Sequence, residues 1–236
     1  MIKSSRIQIL YFSIICLCAC SPKLAVNVEQ IKITKEQLAD SSLTAFIAPF
    51  KQEMDAQMRL KIAESEHDFI VKRPSSNLMN WMADAVFINQ TRNVRLSHPV
   101  FCLLNTGGIR SSIGKGDVLL NDLFKVMPFD NTIVWAKIPI KSLEKISAYL
   151  IKSGGEPISN VKMKNGQLLL SGVGEKASVN YFWVITSNYL FNGGDNMNFF
   201  QDAVETIETK TLIRDVLIQE AKFQEILLND PKSRIE

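Results

Sequence analysis

The stretch Asn105-Thr106-Gly107-Gly108-Ile109-Arg110 follows directly on an apolar run, Val100-Phe101-Cys102-Leu103-Leu104. A short continuous apolar run that stops at glycines reads as a buried strand. A glycine-containing loop at a strand end is where mixed α and β proteins commonly place ligand sites, because the strand is rigid and the loop lets backbone approach a ligand. Just upstream, Ser75-Ser76-Asn77 precedes Leu78, Met79, Trp81, Met82, Ala85 and Val86. That pattern predicts a capped helix beginning near Ser75 and burying one face.

Further toward the N-terminus, residues 60–63 read as a short strand. Leu43, Phe46, Ile47, Phe50, Met54 and Met58 recur at three- and four-residue spacing, as in an amphipathic helix, with Pro49 inside it as a kink or interruption. Val26, Val28, Ile31 and Ile33 suggest one more strand. Downstream of the glycine loop, Gly114-Lys115-Gly116 marks a turn and residues 119–126 a helix. Residues 132–138 read as a strand with Ile133 and Trp135 on opposite faces, and Pro139 as the start of a helix through Leu150. Asn165-Gly166 between two short apolar runs is a strong hairpin signal. Residues 181–186 form another strand, ending at Ser187-Asn188-Tyr189 and the loop Asn192-Gly193-Gly194-Asp195, and residues 209–228 read as a closing helix. Helices and strands interleave without a regular βαβ rhythm. The expectation is therefore one α+β domain, mixed α/β in composition, rather than a doubly wound parallel sheet.

The first residues carry Lys3 and Arg6, then an apolar run over residues 7–17 that is too short to span a bilayer. This reads as a secretory leader. Leu17-Cys18-Ala19-Cys20 resembles a lipobox, which makes Cys20 the expected lipidation site and mature N-terminus; the alternative is an ordinary signal peptide with cysteines near its end. The division implied is a leader at 1–19, a lipidated segment at 20–34 and a folded domain at 35–236. The protein is then exported and anchored by lipid at the cell envelope, on the periplasmic face or at the outer membrane. Processing would leave Cys102 as the only thiol besides the acylated one, in an apolar run where an inert, buried role is expected. The formal charge of +3 comes from 27 basic and 24 acidic residues, and the leader holds two of the basic ones. A nearly neutral mature chain without a basic run gives no electrostatic case for nucleic-acid binding.

Three ordered segments resemble the C-terminal, nucleotide-binding domain of the 5′-nucleotidase family: Asn77-Leu78 through Asp84-Ala85, Asn105 through Arg110 continuing to Pro128-Phe129, and Asn188 through Asp195. The resemblance implies layered sheets flanked by helices and a nucleoside or nucleoside monophosphate as ligand. It places Phe129 and Tyr189 as rings that sandwich the base, Tyr189 standing where phenylalanine is more usual. Asp195 falls on a ribose contact, and Asn105 and Arg110 fall near base and phosphate. Gly107, Gly108, Gly193 and Gly194 shape the two loops, and Lys72 and Arg73 lie where further phosphate contacts are expected, although Pro74 shifts the pattern. Thr106 stands where the family loop often has a third glycine. These residue types suit a nucleotide, since rings stack on a base, a carboxylate accepts from hydroxyls and a guanidinium clamps phosphate.

Hydrolysis in that family needs a dinuclear metal site rich in histidine on another domain. This chain has only His67 and His98, without metal-ligand spacing. No cofactor is therefore expected in this chain, and a leader at residue 1 implies that the metallophosphatase domain is absent from it. Divalent metals are expected on a separately encoded metallophosphatase partner. Three roles remain open: the recognition half of a split nucleotidase, a stand-alone nucleoside or nucleotide receptor for uptake or sensing, and a non-catalytic interaction lipoprotein.

Overall fold

The computed structural model describes residues 40–171 and 179–236. The leader, Cys20 and the strand expected around Val26 to Ile33 lie outside the described residues. Two compact units divide the chain, Met1–Ile47 and Ala48–Glu236. The boundary falls within helix α1, Ser41–Met58, which forms with Pro49 inside it and buries none of its residues. Asp40 caps it by accepting from the amides of Ser42 and Leu43 at 2.8 and 2.9 Å.

The second unit continues with β1 (Lys61–Ser65), α2 (Asn77–Thr91), β2 (Val100–Leu103), β3 (Gly116–Leu119), α3 (Leu120–Val126) and β4 (Thr132–Pro139). Then come α4 (Leu143–Ser153), β5 (Ile158–Ser159), β6 (Val161–Lys164), β7 (Gln167–Leu170), β8 (Tyr181–Ser187), α5 (Asn188–Phe191), β9 (Glu205–Leu212) and α6 (Ile213–Gln224). Five strands make the central sheet in the order β5-β2-β8-β4-β9, while β1-β3 and β6-β7 pair separately. Within the central sheet β2 runs parallel to β8 and the other neighbours are antiparallel.

Side chains alternate across a strand, so the sheet supplies two cores. Val100, Cys102, Ile133, Trp135 and Ile185 face one cluster, completed by Leu78, Met82 and Val86 of α2 and by Ile213, Val216 and Leu217 of α6. Phe101, Leu103, Ala136, Ile138, Phe182 and Val184 face the other, completed by Ile146 and Leu150 of α4 and by Met163 and Leu168 of the hairpin. The result is a sheet with helical layers on both faces, the α+β arrangement expected from the chain's irregular alternation.

Four local expectations need correction. Ile133 and Trp135 pack in the same cluster, since residues two apart on a strand point the same way. Pro139 ends β4 instead of opening a helix, and a 3-10 turn at Ile140–Ser142 intervenes before α4. Residues 205–212, half of them expected to be helical, form the edge strand β9, and the last helix runs only over Ile213–Gln224. Helix α2 starts at Asn77 with Ser76 extended and its hydroxyl without a partner, while Asn77 itself accepts from the Ile70 amide at 3.0 Å. The hairpin forms as expected, with Asn165 and Gly166 at φ of +50° and +76°.

Sheet topology decides where the loops emerge. Because β2 is parallel and β4 antiparallel to β8, the loop after β2, the loop before β4 and the segment after β8 all leave the sheet at the same end. Residues 105–110, 127–131 and 188–195 are therefore brought together although up to ninety positions separate Asn105 from Asp195.

Candidate functional site

At that end of the sheet lies a cavity of about 390 Å³, lined by Asn105, Gly107, Gly108, Arg110, Phe129, Asn131, Tyr189 and Asp195. The volume suits a small organic ligand. Phe129 and Tyr189 are 40% and 46% exposed, so neither ring serves as core packing. Two exposed aromatic faces lining one cavity offer a surface on which a flat ligand can stack.

Each ring is held from behind. The loop bearing Phe129 is pinned by Arg214 of α6, which donates to Asp130 Oδ1 at 2.6 Å and, at 3.5 Å, to the carbonyls of Met127 and Phe129. Asn188 braces that loop to the next, its Oδ1 accepting from the amides of Thr132 and Tyr189 at 3.1 and 2.9 Å. Tyr189 lies against its own loop: a Cβ added at Gly194 would sit 2.5 Å from the ring Cε1. Glycine there lets the ring rest on backbone.

The polar wall is a chain of hydrogen bonds. Tyr189 Oη donates to Asp195 Oδ1 at 2.9 Å, and Asn105 Nδ2 donates to Asp195 Oδ2 at 2.6 Å. Asp195 sits at φ +51° and Asn196 at +63°, left-handed backbone that these two residue types tolerate better than most. From outside the cavity, Tyr149 Oη donates to the Asp195 carbonyl at 3.1 Å. The bond to Asp195 raises the Tyr189 hydroxyl above its ordinary value. Burial, with Glu156 and Asp195 as nearby negative charges, pushes Tyr149 up to about 12. Both phenols are consequently neutral donors at physiological pH. Arg110 is exposed, its guanidinium making one long bond of 3.4 Å to the Gly107 carbonyl, and no ion pair engages it among the described residues.

Seven of the candidate residues named from the sequence thus line the cavity: Asn105, Gly107, Gly108, Arg110, Phe129, Tyr189 and Asp195. Gly193 and Gly194 shape the turn beneath Tyr189 without lining it. Lys72 is exposed and outside the lining, and Arg73 is committed elsewhere, to the carbonyl of Ser153, to that of Gly155 at 2.8 Å and to Glu156 at 3.0 Å. Sequence reading missed Asn131, two residues beyond Phe129, and the brace Arg214, and it named Asn188 within a family segment without giving it a role. Asn131 carried a signal, a polar residue between an aromatic and the first residue of a strand; Arg214 acts over about 85 positions of sequence and carried none.

No three His, Cys, Asp or Glu side chains come together as a metal site among the described residues. The described residues do not fit a dinuclear metal centre. A second groove of about 470 Å³ opens beside the same turn, lined in part by Lys145, Tyr149, Lys152 and Asn196. Lys145 is already paired with Asp202 at 2.5 Å, and the groove gathers none of the exposed aromatic rings.

Residues 61–146 match the family described as 5′-nucleotidase, C-terminal domain. Over those residues the chain is similar to a 5′-nucleotidase C-terminal domain. Protein UshA of Escherichia coli K12 is 26% identical over 227 residues, covering 88% of this chain and 40% of that protein. A 5′-nucleotidase of Vibrio cholerae is 30% identical over 118 residues, covering 47% of this chain and 20% of its own length. The chain therefore spans well under half the length of these curated relatives. Among solved structures, a 5′-nucleotidase precursor from Thermus thermophilus aligns with TM-score 0.65 at 24% identity, over 82% of this chain and 42% of that one. The NAD nucleotidase of Haemophilus influenzae aligns with TM-score 0.60 at 18% identity, over 83% and 41%. These alignments show a shared fold over most of the chain.

Proposed function

We propose that the cavity binds a nucleoside or nucleoside monophosphate, and that the protein is the substrate-recognition half of a nucleotidase whose metallophosphatase half is a separate chain. The observation that carries this reading is the meeting of two solvent-exposed rings, Phe129 and Tyr189, with Asp195 and Arg110 around one cavity. The base stacks on the rings, a contribution of about 1–3 kcal/mol per base. Asp195, oriented by Tyr189 and Asn105, keeps lone pairs free to accept from the ribose hydroxyls. Arg110 is the cation available to the phosphate. Metal-dependent hydrolysis then belongs to the partner, and this chain contributes binding and orientation. A lipid anchor on Cys20 would hold both at the envelope, where extracytoplasmic nucleotides are broken down.

The test is a thermal-shift series with adenosine, AMP and other nucleosides and nucleotides. A ligand that binds only the native state raises the unfolding midpoint as its concentration exceeds Kd. No shift with any of them removes the nucleotide reading and leaves an interaction protein on a nucleotidase fold.

A further inference from the structure

One buried charge has no part in that reading. Glu156 is 3% exposed and does not line the cavity. Its Oε2 accepts from the Thr106 amide at 2.6 Å, and its Oε1 accepts from Arg73 Nη2 at 3.0 Å. A carboxylate is costly to bury unless it is both paired and hydrogen bonded, and here both conditions hold. The backbone also fixes the pair: Gly155 lies at φ +104°, and a Cβ there would come 2.2 Å from the Pro74 carbonyl oxygen. No side chain fits between the two segments, so the 73–74 and 154–156 backbones pack directly.

The amide that Glu156 holds belongs to the loop between Asn105 and Gly107. One residue back, Asn105 Nδ2 holds Asp195, and Asp195 holds the Tyr189 hydroxyl. A Cβ at Gly108 would sit 2.8 Å from Asn105 Oδ1, so glycine at 108 leaves the space that the Asn105 amide occupies. A continuous path thus leads from Arg73 through Glu156 and the Thr106 backbone to Asn105, Asp195 and the stacking ring.

We propose that Arg73 and Glu156 are a positioning pair for the nucleotide site, setting the Asn105–Asp195–Tyr189 wall from behind, and that Arg73 acts through Glu156 and not on the phosphate. This rests on the nucleotide reading of the cavity. The pair touches the base and ribose side of the site only through the loop, so its loss affects nucleosides and nucleotides alike. Arg110, the exposed cation, should affect only the latter.

Calorimetric titration of adenosine and AMP into the full chain and into Arg73→Gln, Arg73→Lys, Glu156→Gln and Arg110→Ala tests this, with the Thr106 amide followed by nitrogen-proton NMR. Arg73→Gln and Glu156→Gln should weaken both ligands by a similar factor, about fivefold to tenfold. The Thr106 amide proton should move upfield in Glu156→Gln while distant amides stay in place. Arg73→Lys, which keeps the charge, should recover part of the affinity and keeps the test alive if Glu156→Gln fails to fold. Loss of AMP affinity alone in the Arg73 variants would make Arg73 a phosphate contact and overturn the proposal, as would wild-type affinity for both ligands or an unmoved Thr106 amide. Failure of the unaltered protein to bind either ligand is the separate outcome that removes the site reading itself and the proposal with it.

Discussion

Tyr189 combines two tasks that are usually given to different residues. Its ring is a stacking face backed by Gly194, and its hydroxyl orients the carboxylate of Asp195. The tasks separate by substitution. Tyr189→Ala should weaken adenosine binding about tenfold or more, since one stacking face contributes around 1–3 kcal/mol. Tyr189→Phe keeps the face and should cost only a few-fold, read by the same titration; equal losses in both would mean that stacking is not the main contribution. Tyr149 allows a test by pH. Its hydroxyl pKa rises from 10.0 to about 12 in the folded protein, so the stability it contributes is complete below pH 10 and lost as pH climbs through about 12. Comparing urea midpoints of wild type and Tyr149→Phe from pH 8 to 11, the gap between them should shrink above pH 10. A constant gap would contradict the assignment. At this scale most of the cavity wall was legible through the ordered family segments, because a ring, a carboxylate or a guanidinium taken alone reads equally well as core, turn or solvated surface. Glu156 was not readable: a glutamate after Gly154-Gly155 looks like any solvated turn residue until its pairing with Arg73 and Thr106 is seen.

Among the elements, the strands were legible where they are buried and obscure where they are not. β2 and β8 announce themselves by apolar runs, whereas β9, Glu-Thr-Ile-Glu-Thr-Lys-Thr-Leu, pairs with β4 alone and carries charges along an exposed edge. Such a composition fits a solvated helix face equally well, and only the ladder to β4 decides it. The chain after α6 was equally hidden, since it has little periodicity. It is laced back onto α2 by polar contacts: Asn80 Nδ2 donates to the carbonyls of Asp230 and Lys232 at 2.9 Å each, and Arg234 grips both oxygens of Asp84 at 2.7 and 2.6 Å. Arg234 also holds Asp230 at 2.7 Å, and burial of its guanidinium is outweighed by these partners, so its pKa rises. Removing one member of a largely buried pair leaves the other unsatisfied. Arg234→Ala should therefore destabilise the protein by about 3 kcal/mol, measured by urea unfolding. A loss below about 1 kcal/mol would mean that the tail is an accessory and that α2 is held by its apolar face alone.

For the whole molecule, the proposed division of labour predicts that the purified chain does not hydrolyse AMP with manganese, cobalt or zinc present, and that hydrolysis appears when an exported metallophosphatase from the same cell is added. Turnover by the chain alone, lost on substitution of its own residues, would sink the split-enzyme reading. The fold offers a further handle in Cys102, fully buried on β2 between β5 and β8, its thiol held well above the ordinary range chiefly by burial. A maleimide cannot reach that sulfur until the strands part. With Cys16, Cys18 and Cys20 replaced, the pace of alkylation becomes a clock for opening of the sheet. Saturating nucleotide at a hundred times its Kd should slow that clock about a hundredfold if the cavity is dismantled in the same event. An unchanged pace would mean that the sheet can open around Cys102 while the nucleotide stays bound, making the ligand-binding loops and the sheet beneath them separate units of local unfolding.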